Sequence, residues 1–113
     1  MKALFVCSQA KLRSRTAAIC LHGEFDEVKY AGTDKDADIV LTEEMCDWAD
    51  IIFCMENHHV DIIRNVLDFN NQNIVQLNIE DKYDFLDMEL IHMLKIKVGR
   101  WLDENERKET NLR

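Results

Sequence analysis

Apolar residues recur along this chain in two alternating rhythms. Lys2–Val6 (KALFV), apolar from Ala3 on, and Ile51–Met55 (IIFCM) are short runs that predict strands buried on both faces. Glu27–Tyr30 (EVKY) and Asn73–Ile79 (NIVQLNI) predict two more strands. Between them the spacing turns helical. Ser14 to about His22 (SRTAAICLH) reads as a helix stopped by Gly23. Thr42 is a good N-cap for TEEMCDWAD, with Glu43 and Glu44 in the first turn, where the helix dipole favours them. Leu41, Met45 and Trp48 give that helix an apolar face, and Val60, Ile63 and Leu67 do the same over residues 57–68. Asp87 looks like the N-cap of a long last helix striped by Leu90, Leu94, Val98, Trp101 and Leu102.

The order β-α-β-α-β-α-β-α predicts an α/β fold, a small parallel sheet of four strands with helices on both faces. At 113 residues the chain fits one domain, assigned to residues 1–103. The polar stretch 104–113 has no apolar period and is expected to fray. In such sheets ligands bind beyond the carboxyl ends of the strands. Three segments meet that edge: Cys7–Arg13, the stretch from Ala31–Thr33 onward, and Glu80–Asp87.

Charge changes the picture at one place. The net charge is −8, which disfavours binding to nucleic acid or an anionic membrane. Residues 1–23 nevertheless carry Lys2, Lys11, Arg13 and Arg15 and no acidic residue, a charge of +4 that leaves −12 for the rest. A basic island on an acidic body is what an anion site requires. No signal peptide is read at the start of the sequence, and no apolar run approaches a membrane span. Cys7, Cys20, Cys46 and Cys54 show no CxxC or His/Cys metal spacing, so reduced thiols in a cytoplasmic protein are expected.

The island surrounds CSQAKLRS, Cys7–Ser14, which joins a strand end to a helix start. Backbone N–H groups of a loop wrapped there form a nest for an anion, and the helix N-terminus adds partial positive charge. Arg13 offers a planar fork to two phosphate oxygens. A thiol at Cys7 beneath that anion feels the same field, which favours the nucleophilic thiolate, and Ser14 can donate to the sulfur. A thiolate under a phosphate monoester is placed for in-line attack on phosphorus. Cys7 is the only cysteine with arginine six residues on, but strand before, helix after and island around it say more than the spacing. The departing oxygen needs a proton donor, and Asp81, Asp84 and Asp87 follow the fourth strand. Asp87 is better explained as a cap, and Asp81 is nearest the strand end. His58 and His59 open a helix near the end of the third strand; His58 could approach the site, but a surface helix start is the preferred reading. Tyr83 is the candidate aromatic wall beside a substrate ring.

These residues resemble the low-molecular-weight protein tyrosine phosphatases, in a short bacterial form. Val6–Ser14 with Thr16 resembles the family's phosphate-binding loop. Tyr30–Thr33 (YAGT) resembles its S-A-G-T, and Leu41–Asn57 (LTEEMCDWADIIFCMEN) its segment around the third strand. Glu80–Phe85 (EDKYDF) stands where the family has its D-P-Y acid loop. The resemblance implies the strand order 2-1-3-4 and a cysteinyl-phosphate intermediate, with no metal or cofactor. It implies Cys7 as nucleophile, Arg13 as clamp and Asp81 as general acid. Phosphate would be held by Ser8, Gln9, Ala10, Lys11, Leu12, Arg13 and Ser14. The implied partner is a phosphorylated protein or a small phosphomonoester.

The sequence departs from the family at several positions. Gln9 and Ala10 stand for the loop's Gly and Asn, which accept left-handed backbone that alanine disfavours. Leu12 replaces a second loop cysteine, Tyr30 the serine of S-A-G-T, and Lys82 the proline of D-P. The stretch between Thr33 and Leu41 is short, which predicts a more open pocket. Two other activities fit the same loop: arsenate reduction, with Cys46 and Cys54 as resolving thiols, and non-catalytic binding of phosphate or a phosphopeptide.

Overall fold

The computed structural model describes residues 1–70 and 73–111, with the side chains of the last helix through Asn105. Four parallel strands, β1 (Lys2–Cys7), β2 (Glu27–Gly32), β3 (Ile51–Cys54) and β4 (Ile74–Gln76), form one sheet in the order β2-β1-β3-β4. This is the predicted α/β architecture and strand order. Helices α1 (Arg13–Leu21) and α4 (Met88–Asn111) cover one face. Helices α2 (Glu43–Trp48) and α3 (Asn57–Asp61) cover the other, α3 running on into a π-helical turn, Ile62–Val66.

Alternation along β1 and β3 divides the core in two. Ala3, Phe5, Cys7, Ile51, Phe53 and Met55 pack toward α1 and α4, while Leu4, Val6, Ile52 and Cys54 pack toward α2 and α3. Phe5 and Phe53 are direct neighbours in the register, with rings stacked at 5.2 Å, and Trp101 meets Phe53 edge-on at 5.3 Å. The predicted caps hold. Thr42 Oγ1 accepts from the Met45 N–H at 3.2 Å, and Asp87 Oδ1 accepts from the Glu89 and Leu90 N–H groups at 2.8 and 3.4 Å.

Four boundaries differ from expectation. The first helix ends at Leu21 and Gly23 lies in a following 3-10 turn, His22–Glu24. β2 runs on to Gly32 because its end pairs with Val40 and with the loop after β1. β4 is a shorter strand than Asn73–Ile79, although the Leu77 and Ile79 N–H groups still donate to the carbonyls of Cys54, at the end of β3, and of Met55 just after it, both at 2.8 Å. α4 continues in backbone to Asn111, beyond the apolar stripe that reaches Leu102 among the described side chains, since Glu, Arg and Lys are good helix formers. Residues 112 and 113, on which the frayed-tail expectation also falls, lie outside the described residues.

Candidate active site

The carboxyl end of β1, the loop into α1 and the segment after β4 converge on a pocket of about 100 Å³. Cys7, Ser8, Gln9, Lys11, Leu12, Arg13 and Asp81 line it. Cys7 is the last residue of β1, and its sulfur lies 3.0 Å from Ser14 Oγ in the first turn of α1. Leu12 provides no side-chain cap to α1, so the first-turn N–H groups are left for whatever occupies the loop.

The loop closes despite Ala10, whose φ is 61°, in the left-handed region. That conformation costs an alanine about 1–2 kcal/mol. The cost is offset by a frame built from the stretch after β2. The N–H groups of Thr33, Asp34 and Asp38 donate to the carbonyls of Cys7, Ser8 and Gln9 at 2.9, 2.9 and 3.0 Å. Tying three successive carbonyls outward leaves the loop's N–H groups free to face inward. Gly32 makes the close approach possible, because a Cβ there would sit 2.4 Å from the Ser8 carbonyl oxygen and 2.8 Å from the Ala10 nitrogen. Gln9 anchors the same side, its amide donating to the carboxylate of Asp34 and, at 3.3 Å, to Asp36.

Arg13 is 2 % exposed. Its Nη1 donates to the Glu56 carboxylate and, at 2.9 Å, to the Ile79 carbonyl, so a buried cation has both a counter-charge and a backbone acceptor. Its Nε lies 3.8 Å from Asp81 Oδ1. Asp81 is carried to the pocket by Ile79, which is buried and hydrogen-bonded to β3's end, and by the Leu86 N–H donating to Thr16 Oγ1 of α1 at 3.0 Å.

The structure brings Cys7, Ser8, Gln9, Lys11, Leu12, Arg13, Ser14 and Asp81 together. Ala10 contributes its backbone, its methyl being fully buried. Tyr83 is a correction. Rather than walling the pocket it is buried in the core on the α4 side, with its hydroxyl 3.4 Å from Met93 Sδ. Burial of the ring against the apolar stripe of α4 outweighs an exposed place at the rim. Only part of the basic island serves the site. Arg13 and Lys11 reach it, while Arg15 lies over the Phe85 ring at 4.2 Å and Lys2 over Trp48 at 5.8 Å.

Glu56, His58 and His59 were not assigned to the site from the sequence. Glu56 follows Met55 beyond the end of β3, at the ligand edge of the sheet, and that placement was the available signal. His59 is fully buried, not an exposed helix start, and its Nε2 lies 3.0 Å from Ser8 Oγ. His58 Nε2 lies 3.4 Å from the same oxygen. The ligand atoms of Glu56, His58 and His59 fall within 4.8 Å of one another, but the arrangement does not suit a metal. His59 Nδ1 accepts the Glu56 N–H at 3.0 Å and its Nε2 is engaged by Ser8, so neither nitrogen has a lone pair to spare.

The other cysteines stand apart. Cys46 and Cys54 pack on the opposite face of the sheet from Cys7. Burial pushes the Cys46 thiol up to about 11, helped by the Asp47 and Glu43 carboxylates, and the Cys54 thiol up to about 12. Among the described residues no helix is long and apolar enough to cross a membrane.

No family model matches the sequence, and no curated protein does. Solved structures do match. The chain is similar to the YwlE arginine phosphatase from Geobacillus stearothermophilus, at 20% identity and a TM-score of 0.75, over 97% of this chain and 96% of that one. It is similar to the tyrosine phosphatase Wzb from Escherichia coli K30 in complex with phosphate, at 16% identity and a TM-score of 0.74, over 91% and 96%. It is also similar to a cysteine-to-serine mutant of a YwlE arginine phosphatase with a phosphorylated active-site serine, at 18% identity and a TM-score of 0.68, over 95% and 99%. The likeness is one of fold, and the fold is that of the low-molecular-weight protein tyrosine phosphatases.

Proposed function

We propose that this chain is a cysteine-dependent phosphomonoester hydrolase of the low-molecular-weight protein tyrosine phosphatase type. The observation that carries the reading is the closed loop. Cys7 lies at its base beside Ser14, buried Arg13 at its rim, and Asp81 lines the same pocket.

The Cys7 thiolate attacks phosphorus in line with the leaving oxygen. The S–P bond forms as the P–O bond breaks, and Asp81 passes its proton to the departing oxygen. Water then attacks phosphorus, Asp81 takes the proton from it, and the S–P bond breaks to return the thiolate and release inorganic phosphate. Arg13 and the amides of Ser8–Arg13 hold the non-bridging oxygens through both steps, where charge accumulates. Ser14 donates to the sulfur. The phosphorylated active-site serine of the YwlE mutant supports a covalent intermediate on the nucleophile. Neither step calls for a metal or cofactor.

The substrate we assign is a phosphorylated protein, phosphotyrosine first, or a small phosphomonoester. Similar structures include a tyrosine and an arginine phosphatase, so phosphoarginine is the comparison substrate. Arsenate reduction is disfavoured because Cys46 and Cys54 are buried on the far face with their thiols held protonated. The cytoplasm is the compartment we assign, since the mechanism needs Cys7 reduced.

The test is turnover of an aryl phosphate, phosphotyrosine, phosphoarginine and arsenate by wild type and Cys7→Ser. Cys7→Ser is expected to lose phosphatase turnover by about a thousandfold or more while still binding phosphate. Arg13→Ala is expected to lose both. Measurable turnover by Cys7→Ser would sink the mechanism, and a wild type that binds phosphate without turnover would make the chain a binding module.

A further inference from the structure

His59 sits at the first turn of α3, fully buried, with a different partner on each ring nitrogen. Its Nδ1 lies 3.0 Å from the Glu56 backbone N–H. A backbone N–H only donates, so Nδ1 carries a lone pair. Burial, with His58 and Arg13 close by, pushes His59 down to about 3 and keeps the ring neutral. A neutral imidazole has one N–H, which must then be on Nε2, facing Ser8 Oγ at 3.0 Å.

The direction of the Ser8 hydroxyl follows. Ser8 Oγ accepts from His59, and its single hydrogen is left for another partner. The side chain lines the pocket in the residue after Cys7. A protein acceptor for it is His58 Nε2 at 3.4 Å, long for an O–H donor. An anionic oxygen in the pocket is the stronger acceptor, because hydrogen bonds to charged groups are shorter and about twice as strong.

We infer that the Ser8 hydroxyl is a side-chain donor to a non-bridging phosphoryl oxygen in the pocket, and that His59 is the positioning residue that turns it there. The inference rests on the proposed reading of the pocket as a phosphate site. It adds a directed side-chain donor to the loop amides. His59 touches no substrate, and acts only through Ser8.

The experiment is calorimetric titration of wild type and variants with inorganic phosphate at one fixed pH. Ser8→Ala is expected to weaken binding about tenfold, the low end for a hydrogen bond to a charged group. His59→Gln places an amide N–H near the position of Nε2 and is expected to stay within about twofold of wild type. His59→Asn reaches only the Nδ1 position and should weaken binding as Ser8→Ala does. Ser8→Ala/His59→Asn should be no weaker than Ser8→Ala alone, because both changes remove one interaction. A purely structural role for His59 would instead make the two losses add. Unchanged phosphate binding in Ser8→Ala, or additive losses, overturns the inference and leaves the phosphatase reading intact. A wild type that neither binds phosphate nor turns over an aryl phosphate overturns both. Ser8→Ala does not touch the core, so the inference is tested even where a His59 variant fails to fold.

Discussion

Replacing Gly32 with alanine places a Cβ 2.4 Å from the Ser8 carbonyl oxygen, 2.8 Å from the Ala10 nitrogen and 2.8 Å from the Ala37 Cβ. Ordinary contact begins near 3.4 Å, so the loop must retreat by about 1 Å from β2. Two of the three atoms belong to the backbone of the phosphate loop, and no rotamer change moves them. Overpacking of this kind costs about 1–3 kcal/mol, and backbone contacts put this site at the upper end. In a domain of this size that lowers the melting temperature by roughly 10 °C. The loop's retreat also strains the hydrogen bonds that tie the Cys7, Ser8 and Gln9 carbonyls outward. A misplacement of about 1 Å near reacting groups costs on the order of a hundredfold in rate. Thermal unfolding and kcat/KM for an aryl phosphate should therefore both fall in Gly32→Ala. Gly99→Ala is the matched control, since a Cβ there meets nothing within 4 Å and alanine favours the helix by about 1 kcal/mol. Adding Ala37→Gly to Gly32→Ala removes only the side-chain contact and should not restore activity. Wild-type kcat/KM in Gly32→Ala, or full rescue by Ala37→Gly, would refute the idea that β2's end sets the loop.

Asp81→Asn should slow aryl phosphate hydrolysis by about 10²–10⁴-fold and Asp84→Asn by far less, because only Asp81 lines the pocket; steady-state kinetics with a poor leaving group would show the reverse ranking if the acid were Asp84. Burial depresses His59 from 6.5 to about 3, so its contribution to stability is full above pH 6.5 and is lost as pH falls toward 3, where the unfolded chain binds a proton that the folded one refuses. The expected slope is about 1.4 kcal/mol per pH unit across that window, and denaturant titrations of His59→Gln should lack this component. In the folded protein at neutral pH, Cys46 and Cys54 should resist iodoacetamide until denaturant is added, as mass mapping of the alkylated sites would reveal; rapid native labelling of either would contradict their burial and raised thiols.

Several features were legible in the residues alone because their causes are local. Thr42 and Asp87 cap their helices because a short oxygen-bearing side chain before an apolar period has few better uses. The runs KALFV and IIFCM are strands because residues apolar on both faces belong at the centre of a parallel sheet. Cys7, Arg13 and Ser14 declared themselves by lying between a strand end and a helix start. The basic island pointed to the same loop, although only Lys11 and Arg13 among its four cations line the pocket.

Other features depend on contacts between segments far apart in the chain, which no local pattern encodes. Ala10 breaks the local preference of its residue type, and the three residues before it are held by N–H groups more than twenty residues away. Glu56 became the partner of Arg13 only when β1 and β3 paired, and His59 met Ser8 across the same seam. Tyr83 had the composition of a pocket wall, but the stripe of α4 lay beneath it and took the ring into the core. The residue order determined the elements and pointed to the candidate nucleophile and clamp, since these follow from periodicity and from charge at an element boundary. Tertiary packing decided how the loop stays closed, what neutralises its arginine and which way its hydroxyl points, because each is set by a distance between elements.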